Sequence, residues 1–468
     1  QTLVALSCVC RSFTDVALDV LWAELEDLEP LFTCLPRDLW TMTSDRKLLI
    51  RRPVTTTDWS VFKRYASRVR VLGRTHLNPF GGVDAEFIYA VTSFSSQSLL
   101  VPNLRILDCR ICPRDLHPCM RYLLSPTEPQ PPQLQVIGLH VTSPQVMELA
   151  LCGLPHLREV SLTTTMLSSE TLSHLSRLTG LQKLDICVTG RSRGVQSQFC
   201  TSSLDILAIN SSTLTFSGHM VKGWVVPCRD LTLEFSIAET ALAVERALHT
   251  LHNRLFCDTL ERILVYGHTD NHVNDVDYAF NLRTFTPLMH FSCLKTVDLP
   301  SFCMSLLDDD ALSSIVKSWP HLEYLDLGTT YVSQIPPKIT FQGIVTVVSS
   351  CPHLRNLALV FDATKVDPPT AENPGGGVCN TYITTFDAGW SPIEQPLQVA
   401  VALSAILPCL RNIDVELDFN DELSSEDGSD GELEEGVSDR KARKTKWKEV
   451  SGYIGVLTLV RQQGGSHV

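Results

Sequence analysis

Trp319-Pro-His-Leu322-Glu-Tyr-Leu325-Asp-Leu327 returns as Cys351-Pro-His-Leu354-Arg-Asn-Leu357-Ala-Leu359, and earlier as Leu154-Pro-His-Leu157-Arg-Glu-Val160-Ser-Leu162. A fourth copy reads Leu407-Pro-Cys-Leu410-Arg-Asn-Ile413-Asp-Val415. Looser copies begin at Leu104, Leu134, Leu181, Leu204, Cys228, Leu260 and Leu294. In each, the last two apolar positions lie two apart and share one face of a short strand, while the alternate residues point to solvent. One such unit cannot bury its own apolar face. Its neighbours must cover it, so a pattern that keeps returning means a solenoid. Each Leu or Ile buried this way contributes about 1.5–3 kcal/mol.

The spacing narrows the class. Copies from Leu134 to Cys228 start 23 or 24 residues apart, within the leucine-rich-repeat period of about 20–29. Later intervals run from 28 to 34 residues, and a gap of 56 separates Leu354 from Leu410. Between the strands, helical apolar spacing predicts helices over Ser143–Leu154, Ser169–Leu178, Asp308–Trp319, Thr340–Ser349 and Leu397–Leu407, with Asp308 and Thr340 as caps. The expected fold is α/β: a leucine-rich-repeat solenoid with a curved parallel sheet, helices on its convex side, and a small helical segment at the N-terminus.

Composition agrees with a globular chain: 468 residues, 44% hydrophobic and 19% charged. A net charge of −13 argues against nonspecific nucleic-acid binding, which needs a positive field. The 16 Cys are scattered through repeat positions such as Cys152, Cys187, Cys228, Cys351 and Cys409, where a free thiol acts as a small hydrophobe in a reduced compartment. The chain therefore reads as intracellular, cytoplasmic and/or nuclear. Cys109-x-x-Cys112, with Cys119 beyond it, is the pair with metal-type spacing, but a zinc site needs four ligands and no second pair stands at a suitable distance. No apolar run reaches the roughly 18 residues of a membrane span.

Residues 2–25 carry a more specific signal. Leu3, Leu6, Val9 and Cys10, then Phe13, Ala17 and Leu21, fall at helical spacing. Val9-Cys10-Arg11-Ser12-Phe13, Ala17 and Leu21-Trp22 resemble the second half of an F-box. The continuation through Leu35-Pro36, Asp58-Trp59, Phe62, Tyr65, Ala66, Val69 and Val71 is similar to fungal F-box proteins with leucine-rich repeats. The Leu-Pro start and opening helix of that motif have no counterpart in this chain. The resemblance implies a docking unit for the Skp1 adaptor, and through it a cullin, containing Leu3, Leu6, Val9, Cys10, Phe13 and Trp22. Some of these contact the adaptor and others hold the helices together. A different role for the same helices is to cap the open end of the solenoid.

The remaining segments divide as follows. Residues 1–37 are the partial F-box-like helices, and 38–95 a helical, locally basic linker or cap, with a helix centred on Trp59–Val69. The repeats fill 96–417, interrupted by a loop insertion at 362–396 that carries Gly375-Gly376-Gly377. Neither a helix start nor a Lys follows those glycines, so they make no phosphate loop. Residues 418–448 are acidic, then basic, and read as disordered. Ser424 and Ser429 each precede an acid by three residues, a pattern suited to acid-directed phosphorylation. The basic run 440–448 fits either a nuclear import signal or a neutralising neighbour. Residues 449–468 return to order as a cap.

No catalytic constellation stands out. His268 and His272 flank Asp270 in a polar loop, and His156, His321 and His353 share one turn position after Pro. No cofactor is implied, and an enzyme working from the His268–His272 loop is the weaker alternative. The residue between the last two apolar positions faces outward in each repeat. It is Asp at Asp108, Asp185, Asp298, Asp326 and Asp414. Stacked, these form an acidic strip on the concave face whose field favours a basic partner segment. The F-box resemblance turns this into an expected function: the substrate-recognition adaptor of a Skp1–cullin–F-box ubiquitin ligase. The alternative is a leucine-rich-repeat scaffold or inhibitor unconnected with ubiquitin.

Overall fold

The computed structural model describes residues 5, 11–45, 47–74, 83–93, 99–110, 120–124, 133–141, 143–151, 153–190, 198–252, 259–267, 276–366, 375–414 and 433–464. The fold is an α/β leucine-rich-repeat solenoid built of parallel strands and helices. The chain separates into two compact units, residues 1–210 with 223–226, and 211–222 with 227–468, where the sequence reading has one repeat block over 96–417.

In the first unit, parallel strands follow in chain order: Glu24–Leu25, Val71–Leu72, Ile106–Cys109, Val136–His140, Glu159–Thr164, Lys183–Val188 and Ile206–Ser211. Register aligns Leu107, Ile137, Val160, Leu184 and Leu207 in one row, each no more than 1% exposed. The second unit repeats the arrangement with Asp230–Phe235, Arg262–Gly267, Thr296–Leu299, Tyr324–Leu327, Asn356–Leu359, Thr385–Asp387 and Asn412–Asp414. Its inner row is Leu231, Ile263, Val297, Leu325, Leu357, Phe386 and Ile413.

A second periodicity lies just before each strand. The residue after the first Leu of a repeat donates its N–H to the carbonyl of its equivalent in the preceding repeat: Gln135 to Arg105, Arg158 to Gln135 and Gln182 to Arg158, then Lys295 to Glu261, Glu323 to Lys295 and Arg355 to Glu323, all at 2.7–2.8 Å. His156, His321 and His353 sit exposed in the turns leading into these positions.

Helices close each repeat. Asp308 accepts the Ala311 N–H (2.9 Å) and Thr340 the Gln342 N–H (3.2 Å), so both expected caps form. Thr340 also donates from its hydroxyl to Asp309 at 2.6 Å, tying helix Phe341–Ser350 to helix Asp309–Val316. The other expected helices span Pro144–Leu151, Ser169–Ser176 and Pro396–Ile406. The helix expected around Trp59 spans Thr56–Ala66.

Several strands depart from the sequence reading, among them the antiparallel pair Trp40–Met42 and Leu48–Ile50 inside the linker read as helical. Glu24–Leu25 lies in the segment read as helical, and Val71–Leu72 in the linker 38–95. Both are two-residue strands, too short to display an alternating pattern. Thr385–Asp387 lies inside 362–396, expected to be a loop insertion. There the 56-residue gap hides a repeat, Ile383-x-x-Phe386-x-Ala388, with all three side chains fully buried. The ladder confirms its phase, since Arg411 donates its N–H to the Thr384 carbonyl at 2.8 Å.

The tail also differs from expectation. Residues 433–448, read as disordered, belong to the helix Leu433–Gly464. Trp447, Val450 and Ile454, spaced three and four apart, form its fully buried face. The remaining acidic stretch, with Ser424 and Ser429, lies outside the described residues.

Candidate functional site

Two surfaces come out of this architecture. The first is helix Arg11–Leu21. Arg68, largely buried, donates to the Asp15 carbonyl (3.0 Å), to the Asp15 carboxylate (2.8 Å) and to the Asp19 carboxylate. Trp22 packs on Tyr65 with ring centroids 4.8 Å apart. Helix Thr56–Ala66, which carries Tyr65, is itself fixed by a reciprocal cap between Thr55 and Asp58. Arg52 donates to Asp58 (2.6 and 3.1 Å) and to Asp38 (2.7 Å), which holds the Asp58 carboxyl well below the usual range. Two further cations of 38–95 have neighbours in the first unit, Arg74 near Glu24 (3.4 Å) and Lys63 over the Trp59 ring.

This anchoring leaves the opposite face bare. Phe13, Val16 and Val20 are 55%, 64% and 57% exposed and fall three and four apart, so they project together. Of the expected docking residues, Phe13 is exposed and Trp22 packs on Tyr65. Leu3, Leu6, Val9 and Cys10 lie outside the described residues. The sequence reading left out Val16 and Val20, whose spacing from Phe13 was the available signal.

The second surface is the outward row of the strands. In the first unit it runs Asp108, Gly138, Ser161, Asp185, Ala208. Both acids have partners: Arg110 reaches both Asp108 oxygens (2.7 Å at the closest) and Ser161 donates to Asp185 at 3.0 Å. A cavity of about 350 Å³ opens over this row, where Arg74, Arg110 and Lys183 face Asp108, Glu159 and Asp185. Gly138 forms part of its floor, and a Cβ there would stand 2.9 Å from Asp108 Oδ1.

In the second unit the row runs Asp298, Asp326, Ala358, Asp387, Asp414, with neighbouring strands about 4.8 Å apart. Register joins three expected acids with Asp387, which the sequence reading missed because its repeat was hidden. The five expected acids therefore do not form one equivalent series: Asp108 is paired with Arg110 and Asp185 accepts a hydrogen bond from Ser161, while Asp298, Asp326 and Asp414 share an acidic row. One expected outward residue is corrected further. Asp326 is 6% exposed, covered by its neighbours, and accepts the Thr329 hydroxyl at 2.8 Å. Burial, together with Asp298 and Asp387, pushes its carboxyl up to about 8. Burial raises Asp298 as well, partly offset by Arg262. The Tyr324 phenol is raised by burial and by the three carboxylates of Asp298, Asp326 and Asp387.

Among the described residues, no group of three His, Cys, Asp or Glu is placed to hold a metal ion, and no helix is long and apolar enough to cross a membrane. The His268–His272 loop, Cys112 and Cys119 lie outside those residues. Cys109, Cys228, Cys303 and Cys351 are buried.

No family model matches the chain, and no curated protein matches it. Solved structures do. An internalin from Listeria monocytogenes aligns over 79% of this chain and 86% of its own, with a TM-score of 0.36 and 14% identity. Yeast Rad7, solved in complex with Elc1, aligns over 75% and 88%, with 0.32 and 13%. TLR13, solved with ssRNA13, aligns over 75% and 54%, with 0.31 and 11%.

Proposed function

We propose that this chain is the substrate-recognition adaptor of a Skp1–cullin–F-box ubiquitin ligase, working in the cytoplasm and/or nucleus. Helix Arg11–Leu21 docks a Skp1-type adaptor and, through it, a cullin. The outward strand faces and loops hold the target protein. The chain itself catalyses nothing; it fixes the target's distance and angle for transfer by other subunits. The observation that carries this reading is the bare Phe13, Val16 and Val20 face on a helix clamped from behind by Arg68 and Trp22. An apolar face held rigid in water is a protein-docking feature. Phe13 is a contact residue in this reading and Trp22 a supporting one; Leu3, Leu6, Val9 and Cys10 join them through the F-box resemblance. The target offers a basic segment to Asp298, Asp387 and Asp414, with Asp326 beneath them; Asp108 and Asp185 line a separate, charge-balanced recess.

The test is co-purification with a Skp1-type adaptor, using this chain extended by a complete F-box. The extended wild-type chain is expected to retain the adaptor, and the Phe13→Asp/Val20→Asp variant to lose it. Equal retention by both, or by neither, would remove the ubiquitin-ligase reading and leave the scaffold.

A further inference from the structure

We infer that a second cavity, wholly within the second unit, is a binding site for a small organic anion: a flat apolar body carrying one carboxylate. The cavity measures about 400 Å³ and is lined by the loops following strands Thr296–Leu299, Tyr324–Leu327, Asn356–Leu359 and Thr385–Asp387. These loops leave the carboxyl ends of parallel strands, where open α/β sheets place their ligands. The volume suits a small molecule, and so does the lining of apolar walls with few converging polar groups.

The walls are mostly apolar, with Tyr331, Gln334 and two serines adding polar groups. Pro336, Pro337 and Pro392 contribute rings, Trp390 an indole and Val360 a branched side chain. The loop that carries Pro336 and Pro337 is pinned from beneath. The Ser305 and Ser333 hydroxyls stand 3.0 Å apart, and the Ile335 carbonyl lies within hydrogen-bond reach of both, at 2.9 and 3.1 Å. The Ile335 N–H returns to Ser333 at 3.0 Å. A recess preformed in this way spares a ligand the ordering of its walls.

The charge decides the ligand class. Among the described residues, Arg443 is the one charged side chain lining this cavity, in contrast to the three cations and three acids around the recess of the first unit. Arg443 arrives from the distant helix Leu433–Gly464, and its Nη1 donates to the Trp390 carbonyl at 3.1 Å. Two further donors, Lys446 Nζ to Ile393 (3.1 Å) and Trp447 Nε1 to Ser391 (2.9 Å), fix the helix to the same loop. Arg443 is therefore held at the cavity by its neighbours as well as by its own bond. A guanidinium carries five N–H donors in a planar fork that matches a carboxylate. A single cation beside walls that are mostly apolar favours an anion that brings its own apolar body. This inference is independent of the ubiquitin-ligase reading, since no adaptor contact enters it.

The experiment titrates the full chain with 2-naphthoate and with its neutral analogue 2-naphthamide, by calorimetry and ligand-observed NMR. The carboxylate is expected to bind at one site, roughly ten-fold tighter than the amide, as a charge-assisted contact requires. Arg443→Gln should erase that preference while leaving amide binding intact, and Arg443→Lys should restore part of it. Val332 also lines the cavity, and Val332→Phe, which narrows it without touching the helix anchor, should weaken both probes. Circular dichroism confirms that each variant stays folded. Equal affinity for the two probes, no saturable binding, or binding unchanged in both the Arg443→Gln and Val332→Phe variants would overturn the proposal. A peptide ending in an apolar residue that outcompetes 2-naphthoate at the same variants would assign the cavity to a protein partner and overturn it as well.

Discussion

Asp326 stands between Asp298 and Ala358 on an outward strand row, yet it is 6% exposed. Burial works against its charge, and the nearby Asp298 and Asp387 add to the effect, so its carboxyl titrates at about 8 against 3.8 unfolded. Between those values the folded chain holds a proton that the unfolded chain has lost. Stability is therefore fully present below the unfolded value and falls as pH rises through the folded one. Asp326→Asn keeps an acceptor for Thr329 and cannot ionise. Thermal melts of this variant are expected to lose less stability than the wild type between about pH 5 and about pH 9, and to lie above it at the alkaline end. Identical pH profiles would mean that Asp326 is ionised at neutrality. The residue type and its outward phase were legible in the sequence. Its burial was not, because that depends on side chains contributed by three other strands.

Arg68 supplies the ionic contacts described for helix Arg11–Leu21. Arg68→Ala is expected to speed amide hydrogen exchange in that helix several-fold while the melting temperature of the repeats moves little, because local opening is separable from global unfolding. Unchanged exchange would show that Trp22 against Tyr65 suffices. At the far end the terminal helix behaves differently. Trp447 is fully buried and donates to the Ser391 carbonyl at 2.9 Å. Trp447→Ala is expected to cost about 3–5 kcal/mol in chemical denaturation, with the last strand, Asn412–Asp414, losing exchange protection first. Trp447, Val450 and Ile454 already spell this helix in the sequence, but the run of charges before them masks it. The long stems of Arg443 and Lys446 run past the apolar face and end on loop carbonyls, which is how a basic segment becomes part of an ordered helix.

For the whole molecule, charge decides how a target is met. The chain carries a net charge of −13, and the outward row of the second unit concentrates part of it in Asp298, Asp387 and Asp414. Reversing these three to Lys is expected to weaken a native basic target at least ten-fold at about 50 mM salt, and raising salt to about 500 mM should weaken the wild-type complex in the same direction. Surface plasmon resonance against a target recovered from native cells measures both; binding indifferent to salt and to reversal would exclude the acidic row as the contact. Asp298 and Asp414 were readable from the repeat, whereas Asp387 required the hidden strand to be recognised.

The sequence alone determined the repeat, its strand phase, its helix caps and the residues forming its spine, because each follows from a local period that one repeat already displays. Tertiary structure decided which acid is paired with Arg110 and which stand together in one row, which side of the N-terminal helix is bare, and where Arg443 ends up. Those outcomes rest on pairings between residues tens of positions apart, whose energies depend on distance and burial that no local pattern encodes.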